Sequence, residues 1–141
     1  MKQESILLAY PDEPSTRPLS TFLHELGYRV ETTGKVSEIL RRIRKETFQV
    51  ILLNDDIEGV KACELIPLLK TNRKVQVIVI SSEESLGFAK RIREAGIFYH
   101  AMKPIDLEEI RAAVESAFEK IKRESLQEEV ISFLRPQWVL V

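Results

Sequence analysis

The sequence predicts an α/β protein built on a three-layer, doubly wound parallel sheet of five strands. Three observations predict it. Five short apolar runs alternate with five segments of helical period, a (βα)5 pattern that occupies about 120 residues of the chain. The central runs are apolar nearly without interruption, as expected of strands covered on both faces. The chain has 141 residues, 44% of them hydrophobic, enough for one compact domain with a real core. Strands joined by helices run parallel, so the helices must cover both sheet faces. Such a sheet carries its functional groups just beyond the carboxyl ends of its strands.

The elements follow in order. Ile6 to Tyr10 is the first strand. Leu19, Phe22, Leu23 and Leu26 mark a first helix that Gly27 stops, with Pro18 in its first turn, where a proline is tolerated. Tyr28 to Thr33 is a second strand of alternating character. Ser37 to Glu46 is helical, with Ile39, Leu40 and Ile43 on one side. Phe48 to Leu53 is the third strand. A helix over Ala62 to Thr71 contains Pro67, which should kink it or mark its start. Val75 to Ile80, rich in β-branched residues, is the fourth strand. Glu83 to Ala95 is a helix closed by Gly96. Ile97 to Met102 is the fifth strand. Asp106 and Glu109 then form a capping box before a helix that runs to at least Lys122.

Charge is nearly balanced, with 21 Lys+Arg against 22 Asp+Glu and a net charge of −1. No basic field favours nucleic acid or an anionic membrane. No apolar stretch approaches the roughly 20 residues of a spanning helix. The first residues lack the features of a signal peptide, so a cytoplasmic protein is expected. The single cysteine, Cys63, reads as a structural thiol.

The strand ends hold Tyr10 to Glu13, Asn54 to Asp56, Ser81-Ser82 and Lys103-Pro104. Together with Leu26-Gly27-Tyr28, Glu94-Ala95-Gly96 and the apolar strands, these residues give the chain, from 5 to about 121, an order and spacing that resemble the receiver domain of two-component response regulators. The resemblance implies a flavodoxin-like sheet of strand order 2-1-3-4-5. It also implies a pocket in which two acidic residues and a phosphoacceptor aspartate hold Mg²⁺, while a Ser/Thr and a Lys contact the phosphoryl group. A magnesium ion and a lysine are suited to neutralising the charge that builds up in such a transfer.

On that resemblance the pocket is selectively dismantled. Tyr10 and Pro11 fall at the acidic pair, and Asn54 at the acceptor. A neutral amide has no anionic oxygen with which to attack phosphorus. Ser81, Lys103 and Pro104 are retained, and a cis Lys103-Pro104 bond is implied. His100 lies where the family often carries a switching aromatic, with Tyr99 beside it. A one-residue slip would make Asp12 and Glu13 the acidic pair. Another would make Asp55 the acceptor, although a slip turns side chains to the opposite face. Asp12, Asp55 and Asp56 are the candidates for a weakly held Mg²⁺, against the simpler reading of solvated turn residues. Lys103 is expected to bond Asn54 or to pair with Asp12 or Asp55.

The resulting expectation is a pseudo-receiver with no catalysis and no required cofactor. It would bind a kinase, a regulator or its own twin through the face of the fourth helix, fifth strand and fifth helix. Glu83, Glu84, Lys90, Arg91, Arg93, Glu94 and Arg111 give that face mixed charge. The alternatives are residual phosphorylation at Asp55 or Asp56, or a small-ligand domain on a flavodoxin-like scaffold. No Gly-rich phosphate loop supports the latter. Residues 1–122 read as the receiver-like domain and 123–141 as a helical extension with an apolar tail. That tail, with Leu126, Val130, Phe133, Leu134 and Trp138, should pack on a second subunit or on its own domain, or mark a piece of a longer protein.

Overall fold

The computed structural model describes residues 3–134 apart from 12–13, 15, 46–47, 72–73 and 83–84. In chain order the elements are β1 (Ser5–Ala9), α1 (Thr16–Glu25), β2 (Arg29–Thr33), α2 (Val36–Lys45), β3 (Val50–Asn54), β4 (Asp56–Ile57), β5 (Val60–Lys61), α3 (Ala62–Leu69), β6 (Gln76–Ser81), α4 (Leu86–Glu94), β7 (Tyr99–Met102) and α5 (Leu107–Leu134). The main sheet has the order β2-β1-β3-β6-β7, with every pairing parallel. With the two-residue strands β4 and β5 set aside, this is the expected 2-1-3-4-5 order.

The apolar runs become the three central strands, and every residue of β1, β3 and β6 is buried. Strand alternation sorts them into two cores. Ile6, Leu8, Val50, Leu52, Ile78 and Ile80 pack with Leu19 and Leu23 of α1 and Ile110, Val114 and Phe118 of α5. Leu7, Ala9, Ile51, Leu53, Val77 and Val79 pack with Ile39 of α2, Leu65 and Ile66 of α3, and Phe88 and Ile92 of α4. The outer strands β2 and β7 are mostly partly exposed, as sheet edges should be.

Local chemistry sets the helix ends. Pro18 is the third residue of α1, inside its first turn. Pro67 neither starts nor ends α3, which runs unbroken from Ala62 to Leu69 with the proline inside it. Ser85 Oγ caps α4 by accepting the Phe88 N–H at 3.1 Å. Asp106 Oδ1 caps α5 by accepting the N–H groups of Glu108 and Glu109 at 3.0 and 3.4 Å.

The segment after β3 contains a tight antiparallel hairpin, β4–β5. Its two turn residues, Glu58 and Gly59, have φ of 52° and 83°, the backbone a two-residue hairpin demands. Glu58 then reaches across to α2, where its Oε1 accepts the Val36 N–H at 2.7 Å. A turn glutamate thus satisfies an N–H at the start of a neighbouring helix.

The expected division at residue 122 falls inside α5, which continues without a break to Leu134. Residues 123–134 add about 18 Å of helix at 1.5 Å per residue. Lys74 Nζ lies 3.3 Å from Glu128 and ties this part to the loop before β6. Leu126, Val130, Ile131, Phe133 and Leu134 are exposed along it. Pro136 and Trp138 lie outside the described residues.

Leu52 is fully buried at the centre of β3, whereas Leu68 on α3 is half exposed. Leu52→Ala is expected to lower unfolding free energy in urea by about 2–5 kcal/mol. Leu68→Ala should change it by no more than about 0.5 kcal/mol.

Candidate functional site

Asn54 ends β3 opposite Ile80 of β6 and is 5% exposed. By alternation it falls on the face of Val50 and Leu52, towards α1 and α5. Its Nδ2 donates to the main-chain oxygen of Asp56 at 2.8 Å. Its Oδ1 is buried and receives no hydrogen bond among the described residues. Tyr10, just beyond β1, is 3% exposed and belongs to the same core. Lys103 Nζ lies 5.2 Å from the centre of the Tyr10 ring, a cation–π contact. The Pro11 carbonyl accepts the Thr16 hydroxyl at 3.0 Å, which ties the β1–α1 loop to the start of α1.

Asp55 is not a solvated turn residue. Its N–H donates to Ile80 O at 3.0 Å, and its carbonyl accepts the Ala62 N–H at 2.9 Å. Its carboxylate, only 18% exposed, is received by three groups. Oδ2 accepts the Ser81 hydroxyl and the Ser82 N–H, each at 3.2 Å. Oδ1 lies 4.0 Å from Lys103 Nζ, the outer limit of an ion pair. Alternation explains the company. Ser81 continues the Val77 and Val79 face of β6, and Asp55 lands on that same side, while Asn54 faces the other way. Ser81 and Lys103 therefore meet at Asp55 and not at Asn54.

Asp56 turns elsewhere. Its Oδ1 accepts the Gly59 N–H at 2.8 Å, and its Oδ2 lies 3.6 Å from Lys61 Nζ, both within the hairpin. The carboxylates of Asp55 and Asp56 are engaged separately, the first with Ser81 and Ser82 and the second within the hairpin. Asp12 and Glu13 lie outside the described residues. Among the described residues no group of three acidic, His or Cys side chains is placed to hold a metal ion.

At the sheet edge, Tyr99 and His100 point in opposite directions. The Tyr99 hydroxyl donates to Glu109 Oε2 of α5 at 2.7 Å, a bond that pushes its pKa up. His100 is half-buried, with its ring edge-on to Phe88 of α4 at 6.0 Å between centroids. Phe88 brings α4 against one side of the ring. Burial holds its imidazole below the usual histidine value, while the Asp55 charge pulls the other way. Its Nε2 is buried and receives no hydrogen bond among the described residues.

Residues 6–115 match the family model for the response regulator receiver domain. The chain belongs to that family. The NtrC DNA-binding transcriptional regulator of Azospirillum brasilense is 31% identical over 83% of this chain. The match covers only 24% of that regulator, so the chain spans about a quarter of its length. Among solved structures, a CheY-like receiver from Methanospirillum hungatei superposes with a TM-score of 0.81 at 21% identity, covering 87% of this chain and 99% of that one. The beryllofluoride-activated NtrC4 receiver domain dimer matches with a TM-score of 0.79 at 26% identity, covering 84% and 99%.

As a receiver, the domain has a cis Lys103-Pro104 bond, as the resemblance implied. Beside it lies a cleft of about 410 Å³ lined by Tyr10, Pro18, Leu19, Lys103, Pro104, Ile105 and Leu107. Among the described residues, those at the implied Mg²⁺ site do not supply the carboxylates the ion would need. Asn54 carries no charge, and its amide N–H is spent on the Asp56 carbonyl. Tyr10 is a core ring, and the carboxylates of Asp55 and Asp56 are engaged apart from each other.

An aspartate at 54 would lose the donor to Asp56 O and bury a carboxylate beside Asp55. Asn54→Asp is therefore expected to destabilise the domain by about 1–3 kcal/mol in metal-free buffer, read by urea denaturation. His100 adds a pH dependence. Its folded pKa is lowered, so below about pH 6.5 the unfolded chain takes up a proton that the folded chain resists. This contribution is complete above that pH and is lost as pH falls towards the folded value. The wild type should lose more stability than His100→Phe between about pH 7.5 and 5.5, measured by urea midpoints.

Proposed function

We propose that this receiver domain no longer accepts a phosphoryl group and works as a protein-docking module of fixed conformation in two-component signalling. The observation that carries the reading is Asn54. At the acceptor position stands a neutral amide whose N–H is committed to the Asp56 carbonyl. Tyr10 and Pro11 at the acidic-pair positions support it, because neither supplies a carboxylate to a cation. The module acts by binding and not by catalysis, and its setting is the cytoplasm.

The docking surface in this reading is the face of α4, β7 and α5. Leu86 at the start of α4 is 88% exposed, and Tyr99 and Met102 of β7 are also exposed. Around them the charges pair within their own helices, Lys90 with Glu94, and Arg111 with Glu108 and Glu115. Exposed apolar side chains ringed by such pairs suit a specific protein partner: a kinase, a regulator or a second copy. Nucleic acid and membrane are not partners in this reading. No helix among the described residues is long and apolar enough to cross a membrane.

A second copy is favoured at the end of α5. Leu126, Val130 and Phe133 recur at helical spacing on an exposed stretch, with Ile131 and Leu134 beside them. Two such stretches laid together would remove this apolar surface from water.

Incubation with acetyl phosphate and Mg²⁺, followed by intact mass measurement, should leave the mass unchanged. A stable phosphoryl adduct that disappears in Asp55→Asn would replace the reading with a switch phosphorylated at Asp55. Sedimentation should show the full chain as a dimer and the 1–122 form as a monomer. Monomeric behaviour of both would remove the α5 dimer.

A further inference from the structure

Three donors of different kinds converge on one point between the ends of β3, β6 and β7. They are the Ser81 hydroxyl, the Ser82 main-chain N–H and the Lys103 ammonium. A hydroxyl, an oriented amide and a cation form a site for an oxyanion. The site is filled by this chain's own Asp55 carboxylate, with Oδ2 on the two serines and Oδ1 towards the lysine. Asp55 has little freedom to leave, because its main chain is bonded on one side to Ile80 and on the other to Ala62.

We infer that Asp55 is a built-in oxyanion that permanently occupies the anion site of Ser81, Ser82 and Lys103, and so fastens Ser81 and Ser82 at the end of β6 to the end of β3 without any covalent modification. A carboxylate and a phosphoryl group present the same kind of acceptor oxygen to the same donors. Ser82 lies four residues before Leu86, the first residue of α4. Lys103 follows β7. The one carboxylate thus links the end of the third strand to the ends of β6 and β7. A ligand that must be added shifts a population between two states, whereas a ligand built into the chain leaves one state occupied throughout.

The inference deepens the reading of a fixed docking module, and the two can fail separately. A phosphoryl adduct on the native chain would end that reading, whereas the inference is tested at the Ser82 amide. The full ¹⁵N-labelled chain is compared with Asp55→Asn and Asp55→Ala by NMR and hydrogen exchange. In both variants the Ser82 resonance should move, and its exchange should quicken by about tenfold or more, the scale of a lost hydrogen bond to a charged group. Core amides of β1 and β3 report whether each variant is folded, and Asp55→Asn keeps the side-chain volume should the alanine form fail. Inorganic phosphate is then titrated. The native Ser82 amide should not respond, while in Asp55→Ala it should shift saturably back towards its native position, an effect lost in Asp55→Ala/Lys103→Ala. A Ser82 amide unmoved in both variants overturns the inference. So does a native chain that responds to phosphate as strongly as Asp55→Ala, or an Asp55→Ala chain that does not respond at all.

Discussion

The constraint on which the rest of this structure depends is the burial of β1, β3 and β6 on both faces. Once helices cover the two sides, no polar side chain can sit along the length of these strands without an internal partner. Chemistry is pushed to the ends, where the strands emerge. The same constraint fixes which residues meet there. Each strand delivers alternate residues to opposite faces, so position along the strand decides company before any specific contact forms.

That alternation divides the strand ends into two small environments. On the side of α1 and α5 stand Asn54, Tyr10 and the ring contact with Lys103. On the side of α3 and α4 stand Asp55, Ser81 and Ser82. Lys103 reaches both, since its ammonium touches the Tyr10 ring and approaches the Asp55 carboxylate. The lysine retained from the family pattern is thus held by two groups of this chain. The hairpin plays a similar part, as Glu58 caps α2 and Asp56 closes the turn. Both residues have local work in this fold.

Most of the fold was legible because burial and period are local properties. Runs such as Ile6 to Ala9 and Val77 to Ile80 can only be strands covered on both sides in a chain where helical segments separate them. Pro18 and Asp106 behaved as their backbone chemistry requires, in the first turn of α1 and at the cap of α5. Pro67 does not mark the start of α3, and Leu65, Ile66 and Leu69 around it are all packed in the core. The hairpin at 56–61 was not legible from period, since its strands have two residues each. Its signal was Glu58-Gly59, a glycine at a turn position, which spacing to the next helix masked.

The sequence by itself determined the parallel sheet and, through the resemblance its motifs carry, the strand order and the family, because these rest on residue type at a position. Only the tertiary structure decided that Ser81 and Lys103 serve Asp55, that Asp55 and Asp56 part company, and that His100 lies under α4. Those facts depend on which way side chains turn where a strand stops. The strand period turns Asp55 to the Ser81 side, but its main-chain bonds to Ile80 and Ala62 and the approach of Lys103 from beyond β7 are contacts between segments far apart in the chain, which no local pattern contains.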